Sequence, residues 1–337
     1  MSVVPSAGTG EPGSPPEPEP VDKADEVADD TARAVGTSRW TAYALLSPGM
    51  LWLAAFFVVP TIILLYTSLQ SGTIYTDFTF TGQISNYGDA ISQYKDIYVK
   101  SFVYALLATV LCLVISYPLA YTIAFKAGRW RNLMLVLVIA PFFTSFLLRT
   151  NAWQTILSDN GPVVSFMQAT GMLAVLHAIQ TPDWFPEWLQ FFPDGISAPD
   201  RVLATPLAVI LGITYNFLPF MTLPLYASLE RIDVRLIEAG QDLYASAWTA
   251  FRKVTFPLSL PGVVAGTLLT FIPAAGDPVN AQLLGAPAQS MIGNVIDSQF
   301  KQIANYPLAA ALSVILMATI VTMVAIYVRR AGTEELV

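Results

Sequence analysis

Cysteine and histidine are nearly missing from this chain: among 337 residues there is one of each, Cys112 and His177. A single cysteine excludes a disulfide framework and a Cys-rich metal site. A single histidine excludes His-cluster chemistry, and no Cys, Asp or Glu stands at ligand spacing from it. Charge is scarce too. Asp, Glu, Lys and Arg supply 12% of the residues, about half the share in an ordinary soluble domain. The formal net charge of −7 provides no basic excess, which argues against nucleic acid as a partner. No G-x-x-x-x-G-K-[ST] loop, G-x-S-x-G turn, H-E-x-x-H pair or paired-Cys motif occurs. The chain therefore carries no visible machinery for nucleotide hydrolysis or catalysis. It is expected to hold no metal and no cofactor of its own.

What it has instead is apolar mass. Apolar residues make up 54% of the chain, and the mean hydropathy is +0.56. A water-soluble fold of this size needs more polar surface over its core. The class that remains is an all-α, polytopic membrane protein. Uncharged runs near the 20 residues needed to cross a bilayer occur at 40–76, 101–125, 202–229, 254–276 and 302–328. A sixth, Asn132–Leu148, ends at Arg149 and can continue through Ala152 and Trp153. Six transmembrane helices are expected. Residues 1–39 differ from the rest: they are rich in Pro, Gly and Ser and acidic at Asp22, Asp25, Glu26, Asp29 and Asp30. They read as a disordered tail rather than a signal peptide, since no basic n-region precedes an early apolar stretch. Residues 331–337 form a second short tail.

Charge placement sets the expected orientation. Six spans with both termini in the cytoplasm leave five basic residues outside: Lys95, Lys100, Arg149, Arg201 and Lys301. The other twelve Lys and Arg fall inside, in the sense of the positive-inside rule. The uncharged segment 160–182 competes as a seventh span, but it holds Ser165, Gln168, Thr170, His177 and Gln180 with no clean stripe. If it crossed, the count would fall to eight inside against nine outside. It reads as interfacial or re-entrant, and the aromatic cluster Trp184, Phe185, Trp188, Phe191, Phe192 behind it suits a membrane–water boundary.

Polar residues inside apolar runs are the first functional clues. Prolines stud the spans, and such breaks are tolerated in lipid only where neighbours or water satisfy the freed carbonyls. Arg149 is either a snorkelling interfacial arginine or part of a vestibule. Asp277, followed by Pro278 and Asn280, lies about 24 Å along a helix from Pro261 and so near the outer leaflet. It is either an interfacial acid or a pathway group, because a carboxylate there requires water or a partner. Cys112 reads as a small buried side chain.

Residues 230–256 are too polar for lipid and too patterned for a linker. Glu230, Arg231, Asp233 and Arg235 alternate with Ile232, Val234, Leu236 and Ile237; a second helical piece follows from Ala245 to about Val254. Two short helices at the inner surface make either a docking element for another protein or a loop lying on the membrane. The run Glu238-Ala239-Gly240-Gln241-Asp242-Leu243-Tyr244-Ala245, then Phe251, then Val254-Thr255-Phe256-Pro257-Leu258-Ser259-Leu260-Pro261-Gly262, resembles the "EAA" coupling loop of binding-protein-dependent ABC importer permeases of type I. Gly240 stands where the family usually has a second Ala, and Tyr244 where it usually has a turn glycine. The resemblance covers roughly residues 40–330. Around Arg149-Thr150-Asn151-Ala152-Trp153 and Phe271–Asp277 it is similar to the spermidine/putrescine branch.

The resemblance implies a transport subunit rather than an enzyme, set in the cytoplasmic membrane among lipid. It implies a second permease subunit, a dimer of ATPase subunits that carries ATP–Mg, and an extracytoplasmic solute-binding protein. Glu238, Ala239, Gly240, Asp242, Tyr244 and Ala245 would form the ATPase coupling site; Asp277 and Asn280, with Arg149 beside them, would border the substrate path. A polyamine is the expected solute, and the outer side carries ten acids against five bases. A permease for another small solute, such as an amino-acid derivative, an aminophosphonate or a metal complex, remains open at this point. So do one half of a secondary transporter with inverted repeats, and a membrane scaffold.

Overall fold

The computed structural model describes residues 39–73, 75–172, 202–244 and 246–331. The expected tails, His177, the aromatic cluster 184–192 and Ala245 lie outside these residues, apart from Arg39 and Ala331 at the edges. The chain divides into two units, residues 1–62 and 63–337. The first ends within helix α1, Tyr43–Ser68, whose Trp52, Phe56 and Ile62 are exposed. Twenty-six residues rise about 39 Å, enough to cross hydrocarbon. The turn Ala54–Val58 is widened to π form. Pro60 explains this: it has no N–H to donate, and its ring crowds the carbonyl of Phe56 four residues back.

The second unit opens with an antiparallel hairpin, β1 (Gln70–Thr73) and β2 (Thr76–Phe80), in which Gln70 faces Phe80. Helix α2 then runs over Ser85–Lys126. It begins well before the span expected from Ser101. Its added turns carry Tyr87, Ala90, Tyr94 and Tyr98, which pack beside Ile292 and Leu312. The Tyr98 hydroxyl donates to the Leu312 carbonyl at 2.5 Å.

The third run is not straight. Helix α3 (Arg131–Ile139) passes through a tight turn at Ala140–Phe143 into α4 (Phe146–Ile156), and the two parts meet at 98°. The break lies at Thr144 and Ser145, whose ψ angles of 149° and 138° leave helical geometry. The continuous path expected from Asn132 through Trp153 is thus corrected to a broken one. Helix α5, Pro162–Ala169, rises only about 12 Å and cannot span. It buries Val164 and Met167 against Leu157, Val202 and Leu284. Residues 173–182 of the segment expected to be interfacial lie outside the described residues.

Helix α6 (Pro206–Glu230) is the buried axis of this unit, with Thr205 as its N-cap. It is followed by α7 (Val234–Tyr244), α8 (Ala247–Leu258) and α9 (Leu260–Ala275), the last two bent by 62° at Ser259. Short α10 (Val279–Leu284) and α11 (Ile292–Lys301) lead into α12 (Tyr306–Ala331). Among the described residues four helices are long and apolar enough to cross a membrane, or six with each bent pair taken as one span. That equals the number of spans read from the sequence.

Helices α2 and α9 flank α6. Phe271, Ala274 and Ala275 of α9 meet Ile213 and Phe217 of α6 and Tyr104 of α2 in one apolar cluster. Close approach depends on the pair Gly262 and Gly266. A Cβ on Gly262 would stand 2.8 Å from the Pro224 carbonyl oxygen, and one on Gly266 would stand 2.8 Å from the Met221 sulfur. This G-x-x-x-G spacing is the membrane-helix device for bringing backbones together.

Candidate functional site

Two polar regions stand at opposite ends of the bundle. The first is the loop between α6 and α9. Asp233 begins α7, its Oδ1 accepting from the Arg235 amide at 2.9 Å. Ile237 and Gly240, three apart, face inward, whereas Glu238, Ala239 and Asp242 are exposed. Gly240 faces α8: a Cβ there would lie 2.9 Å from Cγ2 of Val254. The glycine that replaces the family's usual alanine thus lets α7 and α8 cross closely. Tyr244 closes α7. Ser246 then caps α8, its Oγ accepting from the Thr249 amide at 3.1 Å. The sequence held this cap as Ser246-x-x-Thr249, a signal that could have placed the turn.

The exposed side of this loop is apolar as well as acidic. Val234 and Leu236 on α7 and Trp248 on α8 are all exposed, Trp248 at 71%. Trp248 stacks on Phe251 at 5.4 Å, and Phe251 meets Tyr117 of α2 edge-on at 5.6 Å. The Tyr117 and Ser259 hydroxyls are hydrogen-bonded at 2.7 Å, so the hinge between α8 and α9 is fastened to α2. At the loop's start, Arg131 Nε donates to the Tyr226 hydroxyl at 2.5 Å, and the guanidinium pairs with Glu230. Trp248 is a candidate docking residue outside the expected coupling set.

The second region lies at the far end of α9. Asp277 is buried, with Oδ1 accepting from the Val279 amide at 2.9 Å. Its Oδ2 accepts from the Asn280 amide at 3.2 Å and from Asn280 Nδ2 at 2.5 Å. Asn280 Oδ1 accepts in turn from Asn216 Nδ2 at 2.9 Å, which also donates to Thr150 Oγ1 at 3.1 Å. The result is a buried polar knot that joins α4, α6 and α10. It brings together Asp277 and Asn280, both expected, with Asn216 and Thr150, both missed. A polar amide inside the apolar run of α6 was the available signal for Asn216. The carboxylate works here as the cap of α10 and as the anchor of the knot. Asn294 Nδ2 donates to the Pro278 carbonyl and locks the start of α11 onto the same turn.

Arg149 neighbours the knot through Thr150 but is not bonded into it. Its guanidinium lies 5.7 Å from the Phe146 ring and 5.8 Å from the Phe142 ring, with Nε and Nη1 buried and lacking a hydrogen-bond partner. Among the described residues no group of three His, Cys, Asp or Glu side chains could hold a metal ion.

Comparison with known proteins identifies the family. The family described as "Binding-protein-dependent transport system inner membrane component" matches residues 116–331. The chain is 34% identical over 281 residues to the spermidine/putrescine transport system permease protein PotB of Escherichia coli K12, covering 82% of this chain and 93% of that one. The PotB protein of Haemophilus influenzae is 33% identical over 279 residues, with 82% of this chain and 90% of the other covered. The spermidine/putrescine transport system permease protein PotC of E. coli K12 is 32% identical over 142 residues, or 38% of this chain and 54% of PotC. Among solved structures, a bacterial ABC transporter involved in import of the acidic polysaccharide alginate shares the fold, with a TM-score of 0.58 at 18% identity, covering 91% of this chain and 98% of that one.

Proposed function

This chain belongs to the family of binding-protein-dependent transport system inner membrane components, and on that premise we propose that the solute it carries is a polyamine, spermidine or putrescine. It is a permease subunit of an ABC importer, a multi-pass protein of the cytoplasmic membrane and not an enzyme. That membership replaces the secondary-transporter and scaffold alternatives. The support for a polyamine is the similarity to permeases named for spermidine and putrescine over more than four-fifths of the chain.

In this reading the loop 230–256 and both termini face the cytoplasm, and an ATPase dimer that binds ATP–Mg docks on the exposed side of α7 and α8. Glu238, Ala239 and Asp242 touch it, Gly240 holds the two helices at their spacing, and Tyr244 and Ala245 belong to the same coupling site. The observation that carries this assignment is the sidedness of α7: its acidic and small residues point out while Gly240 points into α8. A second permease resembling PotC completes the pathway, and a solute-binding protein delivers polyamine to the opposite end. There Asp277 and Asn280 frame the path, with Arg149 flanking it.

The test is uptake of labelled spermidine by cells with and without this gene, competed by unlabelled putrescine, amino acids and aminophosphonates. Loss of uptake on deletion, with competition by polyamines alone, is expected. Uptake that persists in a strain with no second polyamine importer overturns the solute assignment.

A further inference from the structure

The hinge between α8 and α9 is built on prolines and one serine. Pro261 has no N–H to offer the Pro257 carbonyl four residues back, and its ring crowds that carbonyl. The chain absorbs the conflict in the 62° bend at Ser259. Ser259 is buried; its amide donates to the Thr255 carbonyl at 3.0 Å, and its Oγ donates to the Phe256 carbonyl at 2.9 Å. With that proton committed, Ser259 Oγ is left to accept, and the hydroxyl 2.7 Å away on Tyr117 of α2 is the donor.

Both helices are loosened where they meet. Helix α8 widens to π form over Phe251–Thr255, and α2 does the same over Thr122–Lys126, just beyond Pro118. Such turns accompany bends and recur at functional places in helices. Around the hydroxyl pair, Phe251 lies 5.6 Å from Tyr117 and 6.1 Å from Tyr121, and Phe256 lies 5.9 Å from Tyr117. Ring pairs stay favourable over centroid distances of about 4.5–7 Å, so they tolerate a small rotation of α8. A hydroxyl bond does not: it is gone once the oxygens separate beyond about 3.5 Å.

We propose that Tyr117 is a positioning residue that latches the α8–α9 hinge to α2, and so restrains the ATPase from hydrolysing ATP when no solute is being moved. Any ATPase movement that turns α8 about Ser259 breaks the Tyr117–Ser259 bond and carries its cost. Helix α2 also reaches the opposite end of the bundle, where Lys100 Nζ donates to the Ala288 carbonyl at 2.6 Å. A shift of α2 imposed there reaches Tyr117, which gives an arriving solute a route to the latch. The proposal rests on the docking of an ATPase on α7 and α8 and adds to it a residue outside the loop.

The test uses the complete importer, with its ATPase, in liposomes. ATP hydrolysis is measured with neither binding protein nor solute present, so the identity of the solute does not enter. Tyr117→Phe deletes the donor and keeps the ring. It should raise this idle hydrolysis about fivefold, the factor carried by one neutral hydrogen bond. A merely structural role would instead lower hydrolysis together with the thermal midpoint. Ser259→Ala removes the acceptor but also frees the Phe256 carbonyl, so the comparison is made within that background: adding Tyr117→Phe there should change nothing further. Idle hydrolysis that is unchanged in Tyr117→Phe, or that rises equally in the Ser259→Ala background, overturns the latch. Glu238→Arg, assayed alongside for retention of the ATPase, tests the docking by itself. Release of the ATPase there, with no effect of Tyr117→Phe, overturns the latch alone; an ATPase that stays bound overturns the docking and the latch with it.

Discussion

The polar knot can be tested by exchanging its two central residues. Asp277→Asn alone replaces the oxygen that accepts from Asn280 Nδ2 at 2.5 Å with an amide nitrogen, so two donors face each other. It also costs the 3.2 Å bond from the Asn280 amide. Asn280→Asp alone sets two carboxyl groups against one another in a buried site. Each single change should cost about 2–4 kcal/mol, the loss of a charge-assisted bond plus an unsatisfied buried group. Combining the two substitutions restores complementarity: the introduced amide donates to the introduced carboxylate, which still accepts from Asn216 Nδ2. Only the bond from the residue-280 amide stays lost, about 1 kcal/mol. The coupling energy in the double-mutant cycle should therefore be roughly 3–7 kcal/mol. The assay is the thermal midpoint of the solubilised importer together with the amount of this chain in the membrane. A double variant as unstable as the two single changes added together would refute the knot. Uptake measured on the same variants divides the roles further. A stable double variant that transports normally makes Asp277 an architectural group. A stable one that fails shows that the negative charge is needed at position 277 itself.

Three further outcomes follow from the geometry. Glu238→Arg reverses an exposed charge on α7, so it should leave the amount and thermal midpoint of the chain unchanged and weaken ATPase association at least tenfold, read by co-purification. Gly240→Leu forces a side chain into the 2.9 Å approach to Val254 and should lower spermidine uptake severalfold, with an overpacking cost of about 1–3 kcal/mol confined to the loop and visible as faster proteolysis there. Lys100 is buried, and its Nζ donates to the Ala288 carbonyl at 2.6 Å; Lys100→Met should cost about 1.5–3 kcal/mol in the thermal midpoint, and Lys100→Gln should recover part of it.

The sequence exposed what depends on average apolarity and on long motifs. Six runs, the two short helices after α6 and the polar pair Asp277 and Asn280 could all be read from it, because lipid demands apolar length and polar groups stand out against it. Geometry that depends on local breaks was harder to read. The right-angle turn of α3 into α4 rests on the non-helical Thr144 and Ser145, and an uncharged run looks the same bent or straight. The early start of α2 was marked by Tyr87, Ala90, Tyr94 and Tyr98, a helical stripe that polar neighbours such as Lys95 and Asp96 concealed from a hydropathy count. The knot was half legible. Asp277 and Asn280 are close in sequence and drew notice, but Thr150 and Asn216 join them only through the packing of α4 and α6, which no spacing rule reveals. Arg149 adjoins Thr150 in the chain, yet its unbonded guanidinium is a fact of packing alone.

The two polar ends are joined by α2, and this bears on how a load at one end would be felt at the other. Between Lys100 and Tyr117 the helix advances about 26 Å. At one end Lys100 holds the Ala288 carbonyl and Ser101 Oγ accepts from the Ile292 amide at 2.7 Å, fixing α2 to the turns that lead into α11. At the other end Tyr117 is bonded to Ser259 at the α8–α9 hinge and packed against Phe251. A load applied to the coupling loop must therefore break the Tyr117–Ser259 bond or carry α2 with it. The bond contributes about 1 kcal/mol, less than the buried charge-assisted contact at Lys100, so the hinge end yields first. Turning α8 about Ser259 would break that one bond and leave those of Asp277 and Asn280 in place.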